Sequence, residues 1–144
     1  MPKQLITVAF DLGGVVFSSH NDNCIFTDRY LETSLTDGIH DTISQLSKDP
    51  RYKLIVISKA FPNNARRSME ILEMYGLTKI FNSIIFCEHI SDKFPIAKAM
   101  KVQLMIDDKP SVLATFDNTI QTFLFNDDTR HLLTQVIQNL SPNK

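Results

Sequence analysis

A three-layer α/β domain, with helices on both faces of a doubly wound parallel sheet of about five strands, is predicted by three observations. Short β-branched runs recur along the chain. Each is nearly all apolar, as strands covered on both faces are, and longer stretches with helical spacing separate them. A length of 144 residues suffices for one such core and leaves little for a second, so residues 1–144 are expected to form a single domain.

The first strand is read at 5–10 (LITVAF). Residues 18–36 (SSHNDNCIFTDRYLETSLT) then break the rhythm: they are polar, have no clean period and are long for a connection, which marks a functional flap or minimal lid. In 36–50, Ile39, Ile43 and Leu46 stand at helical spacing ahead of Pro50. A second strand is expected at 53–58 (KLIVIS). The helix after it begins near Pro62, carries Met69, Leu72 and Leu77 as its apolar stripe and stops at Gly76. Strands at 83–87 (SIIFC), 103–107 (QLMID) and 122–125 (TFLF) alternate with helices at 95–101, 110–116 and 128–140. The tail 141–144 has no packing pattern and is expected to be disordered.

Composition narrows the function. A formal charge of −1 with no long basic run argues against a dedicated nucleic-acid binder, and no run approaches the length of a membrane span. Two cysteines outside any CxxC pair, with no cleavable leader pattern behind Met1, fit a reducing cytoplasm. The four histidines lack zinc-ligand spacing, and neither a Walker loop nor a GxGxxG fingerprint occurs. Methionines and phenylalanines are read as core, and Arg66 with Arg67 as a solvated helix face.

Open parallel sheets bind ligands beyond the carboxyl ends of their strands. Those ends carry Asp11, Ser58, Asp107 and Asp108, while Lys93 lies in the segment leading to the fourth strand. If the fourth strand neighbours the first, the carboxylates repel in a partly desolvated cleft, and a divalent cation relieves that repulsion. Oxygen ligands with room for water and a phosphate suit magnesium. Asp11 then serves as a nucleophile at phosphorus, with Ser58, Lys93 and backbone N–H groups on the phosphoryl oxygens. Gly13 and Gly14 let the backbone turn sharply and approach an anion. The bland alternative for Asp107 and Asp108 is an N-cap on the helix that Pro110 begins.

In their order and spacing these segments resemble the haloacid dehalogenase-like (HAD) phosphohydrolases. FDLGGVV is similar to the first motif of that family, VIS to the second, Lys93 to the third, with Lys98 the lesser candidate, and MIDDKP to the fourth; the likeness covers residues 5–126. SDKFPIAKAMKVQLMIDDKP further resembles the nucleotidase-type members. The resemblance implies a Rossmann-like core, Mg2+ as cofactor and a small phosphorylated substrate. It makes Asp11 the nucleophile and Ser58 and Lys93 catalytic partners. Gly13, Gly14, Ser58, Lys59 and Lys93 fall around the phosphate. Asp11, Asp108 and the Gly13 carbonyl fall on the metal, with Asp107 supporting it from behind those ligands or through water.

Position 13 departs from the pattern. Family phosphatases carry there an aspartate that shuttles a proton; glycine retains only its carbonyl. General acid–base assistance is worth about 10² to 10⁴ in rate, so a phosphatase built this way is slow unless another group substitutes, and His20 and Asp22 are the nearest candidates. Without an inserted cap domain the site is expected to be open, or covered by a second copy of the chain. Two functions therefore stand: a magnesium-dependent phosphomonoesterase acting through an aspartyl phosphate, on nucleotides or other small phosphates, and an impaired relative that binds phosphate and magnesium for regulation. A phospho-accepting receiver domain fails on motif order, because its acidic pair follows the first strand.

Overall fold

The computed structural model describes residues 5–139, with side chains to residue 136. Leu140 and the expected tail 141–144 lie outside the described residues. Strands β1 (Ile6–Phe10), β2 (Tyr52–Lys59), β3 (Ser83–Cys87), β4 (Val102–Asp107) and β5 (Gln121–Leu124) form one all-parallel sheet in the order β3-β2-β1-β4-β5. The chain steps outward from β1 to β3, then returns to the other side of β1. That reversal opens a crevice at the carboxyl ends of β1 and β4, where such sheets hold their ligands.

Among the described residues five helices cover the sheet: α1 (Ile39–Ser47), α2 (Pro62–Met74), α3 (Lys93–Ala99), α4 (Pro110–Leu113) and α5 (Thr129–Asn139). Successive strand residues point to opposite faces, so each central strand feeds two cores. Val8, Phe10, Val56 and Ile106 pack with Ile39 and Ile43 of α1, Ile71 and Leu72 of α2, and Leu132 and Val136 of α5. Ala9, Ile55, Ile57 and Met105 pack on the other face with Ala97 of α3 and the edge-to-face pair Phe94 and Phe116.

Cover on both faces holds for the three central strands and fails at the edges. β3 is mostly half-buried, and Gln121, Thr122 and Leu124 of β5 are exposed, because the neighbouring α4 is a single turn. The helix expected over 110–116 continues past Ala114 only as bonds from Thr115 N–H to Val112 and from Phe116 N–H to Leu113.

The expected stripe on α2 is also displaced. Ser68, Ile71 and Leu72 are its buried residues, Met69 lies off that face and is exposed, and the helix ends at Met74 before Leu77. Beyond it Gly76, at φ +74°, closes the expected stop: its N–H bonds to Glu73 and that of Leu77 to Leu72. This left-handed turn tucks Leu77 into the core independently of the helical period.

Residues 18–36 are a compact Ω-shaped loop whose ends are stitched together. Ser18 N–H bonds to Ser34 O and Thr36 N–H to Val16 O, and two 3₁₀ turns, Asp22–Phe26 and Tyr30–Glu32, fill the interior. The side-chain oxygen of Asn21 accepts both the N–H and the hydroxyl of Ser34, and its amide donates to Glu32 O. No helix among the described residues is long and apolar enough to cross a membrane.

Candidate active site

β1 and β4 are neighbours in register, Phe10 opposite Ile106, so the residues following those partners meet at the crevice. Asp11 N–H continues the ladder to Ile106 O at 3.0 Å, fixing the backbone that presents its carboxylate. Lys93, the first residue of α3, reaches the same point from beneath. Its ammonium is 3.1 Å from Asp11 Oδ1 and 2.8 Å from Asp107 Oδ2, and all three side chains are nearly or wholly buried. The other oxygen of Asp107 accepts the Lys109 N–H at 3.1 Å. That bond spans two residues and leaves the N-terminus of α4 without a side-chain cap, so the capping alternative does not hold.

A cation at the first turn of a helix faces an unfavourable dipole, and burial costs it more. Burial alone would depress the Lys93 ammonium; the charges of Asp11 and Asp107 more than reverse that and hold it above the usual lysine range. Burial pushes the Asp11 carboxyl up to about 7 against the pull of Lys93, and the charges of Asp107 and Asp108 add to the rise. Asp108 is raised as well, first by burial and then by Asp107. One ammonium thus serves two carboxylates, while a third stands beside them without its own cation.

Asp11, Asp107 and Asp108 each offer an oxygen within 4.8 Å of the others. Asp108 Oδ1 is buried and has no hydrogen-bond partner, a state that costs about 1–3 kcal/mol for a polar group and more for a charged one. Three hard oxygens with one orphaned atom fit a divalent cation such as magnesium. Gly14 makes room for this arrangement. A β-carbon there would stand 2.0 Å from Asp108 Oδ2, and φ is +80°. Gly13 is different: a β-carbon on it would meet only Asp22 Oδ2, at an ordinary 3.5 Å. The steric need for glycine therefore lies at residue 14, and it serves the Asp108 carboxylate.

Beyond the charged cluster opens a cleft of about 430 Å³. Asp11, Gly13, Ser58, Lys59 and Lys93 line it, together with Lys109 and Asp22. Ser58 is buried at the end of β2 and Lys59 is exposed at the rim. Burial raises the Asp22 carboxyl, opposed by the charge of Lys109. His20 is exposed and is not among the lining residues; Lys98 lies on the surface, 5.6 Å from the Phe94 ring centre.

No protein-family model matches this sequence, and no curated protein matches it. Solved structures do. The HAD domain of the effector protein Lem4 from Legionella pneumophila superposes with a TM-score of 0.67 at 12% identity, covering 96% of this chain and 97% of that one. The haloacid dehalogenase-like fold is therefore shown. A HAD-like family hydrolase from Xanthomonas campestris has the same fold at a TM-score of 0.54 and 10% identity, covering 88% and 89% of the two chains. A chain of a Pnkp1/Rnl/Hen1 complex reaches 0.67 at 13% identity over 87% of this chain, which spans 47% of that longer chain. In this HAD fold the crevice between β1 and β4 holds the buried aspartate cluster.

Three residues escape the sequence reading. Arg67 is no solvated residue: its side chain is 15% exposed, Nη1 donates to Ile25 O at 2.9 Å and Thr27 O at 3.0 Å, and the guanidinium lies over the Tyr30 ring. It clamps the Ω loop to α2. A stripe drawn through Ser68, Ile71, Leu72 and Tyr75 would have placed Arg67 at the buried margin. Phe26 and Phe61, read as core, are 70% and 52% exposed and line the cleft. Phe61 carries a weak signal, standing directly before Pro62 just past a strand end that bears the site serine.

Proposed function

We propose that this cleft hydrolyses phosphate monoesters with Asp11 as the nucleophile. The observation that carries the reading is the buried Lys93 ammonium bridging Asp11 and Asp107, with Asp108 Oδ1 buried beside them and lacking a hydrogen-bond partner. Asp11, Asp108 and the Gly13 carbonyl would hold magnesium, and Asp107, occupied by Lys93 and the Lys109 N–H, supports the cluster from behind. Magnesium when bound would neutralise charge on the phosphoryl group and keep Asp11 ionised.

The remaining chemistry belongs to the chain. An Asp11 oxygen bonds to phosphorus as the ester P–O bond breaks, while Lys93 and the Ser58 hydroxyl offset charge on the phosphoryl oxygens and Lys59 reaches in from the rim. The departing oxygen needs a proton. Asp22, brought by the Ω loop against the bare face of Gly13, supplies it. Water then attacks phosphorus, returns a proton to Asp22 and releases inorganic phosphate with the Asp11 carboxylate restored. Nucleotides and other small phosphates are the substrates proposed.

The missing carboxylate at residue 13 favours a second reading, in which the pocket binds phosphate and magnesium without turnover. Phosphate release from an activated aryl phosphate with magnesium separates the two. Release by the native protein that is lost in Asp11→Asn supports hydrolysis; magnesium binding by both proteins with release by neither leaves the binding role.

A further inference from the structure

Two aromatic rings stand exposed where solvent-facing phenylalanine has no structural use. Phe26, on the Ω loop, and Phe61, the residue that leads into α2, both line the cleft that ends at Asp11 and Lys93. Scattered exposed apolar side chains need no explanation, but two aromatics on one reactive cleft mark a surface that something covers.

They are also held in place. Arg67 lies on the helix that Phe61 leads into, and its guanidinium bonds the carbonyls of Ile25 and Thr27, the residues on either side of Phe26. The Thr27 hydroxyl and N–H both bond back to Cys24 O, closing the turn that carries the ring. One side chain thus ties the backbone beneath Phe26 to the helix behind Phe61. Pre-ordered aromatic lips spare a ligand the entropy of arranging them.

We infer that Phe26 and Phe61 form an aromatic vice for the alcohol portion of the substrate, selecting phosphate monoesters that carry a flat ring. This deepens the phosphoester reading and rests on it. A volume of about 430 Å³ suits a small ligand with one ring system. The lining supplies both chemistries: the charged pair Asp11 and Lys93, and apolar surface from Phe26, Phe61 and the buried Ile25, carried by the Ω loop and the residue before α2. Ring-on-ring contact favours any flat π system, so an aryl phosphate and a nucleoside monophosphate share the required chemistry.

Phosphonates test this without turnover, since their P–C bond is not hydrolysed. Titration calorimetry with magnesium present is expected to show phenylphosphonate binding about tenfold more tightly than methylphosphonate. Phe26→Ala and Phe61→Ala should each remove most of that ratio, while Phe26→Tyr retains it. A ratio near unity in the native protein, or one that survives both alanine substitutions, overturns the vice. Kinetic arms distinguish the ring sources: phenyl phosphate and a nucleoside monophosphate are compared with glycerol phosphate, and a higher kcat/KM for the nucleoside monophosphate, whose alkyl leaving group matches that of glycerol phosphate, or a phenyl phosphate advantage that is lost in Phe26→Ala, supports the inference. Equal kcat/KM for all three contradicts it. Loss of Asp11-dependent release with the phosphonate ratio intact refutes the hydrolytic reading alone.

Discussion

The two walls of the cleft are built on opposite principles. The inner wall hangs from the sheet: Asp11 and Asp107 extend β1 and β4, and buried Lys93 joins them, so its geometry follows from strand pairing and charge. The outer wall is a loop. Residues 18–36 take their position from polar stitching at the neck and from the Arg67 clamp, with Ile25 as one of their few buried apolar side chains. A charged centre fixed by the sheet and faced by a separately anchored loop lets the loop vary without disturbing Asp11.

Breaking the inner wall should have the largest effect. Lys93→Met leaves two buried carboxylates without their cation, an expected loss of about 3–5 kcal/mol in urea unfolding at pH 8 together with all phosphate release. The loss should shrink at pH 5. The folded Asp11 carboxyl holds its proton to about 7 whereas a free aspartate loses it near 3.8, so the folded state binds the extra proton between those values. Metal-free protein should accordingly lose stability as pH rises across that window, and the magnesium-induced rise in Tm should be greater at pH 8 than at pH 5. A Tm shift independent of pH would remove Asp11 from the cation site.

On the outer wall, Asp22→Asn should slow hydrolysis of alkyl phosphates by about 10² to 10⁴ and that of an activated aryl phosphate far less, with Mg2+ affinity retained. Gly13→Asp in that background should recover part of the rate, since residue 13 has an ordinary φ and space for a side chain. Equal slowing for both leaving groups would make Asp22 a merely structural residue. Arg67→Lys, losing the paired bonds to Ile25 and Thr27, should cost about 1.5–3 kcal/mol and quicken proteolysis within 18–36, leaving the unfolding cooperative. Smallest is the glycine contrast. Gly14→Ala should cost about 1–2 kcal/mol through its left-handed backbone alone and weaken Mg2+ binding through Asp108, and Gly13→Ala should stay within about 0.5 kcal/mol.

The same division decides what could be read in advance. Strand ends, their order and the acidic pair were legible because the inner wall is encoded locally: apolar runs terminate in Asp11, Ser58 and Asp107, and β1 beside β4 brings them together. Lys93 could be placed by likeness of spacing, but its burial and double pairing could not, since they depend on where α3 starts. The loop was recognisable only as an interruption. Its anchoring depends on Arg67, 42 and 40 positions from the carbonyls it holds, and no periodic pattern reports such a contact. Gly14 was legible as special, yet its reason, the Asp108 carboxylate, lies at the far end of the sequence.

The central claim is that Asp11 carries the phosphoryl group between the two halves of the reaction. Rapid acid quenching during turnover, followed by peptide mass spectrometry, reads this directly. A phosphoryl adduct on the peptide containing Asp11, absent from Asp11→Asn, is the expected result; phosphate release with no adduct on Asp11, or with one on another residue, would contradict it.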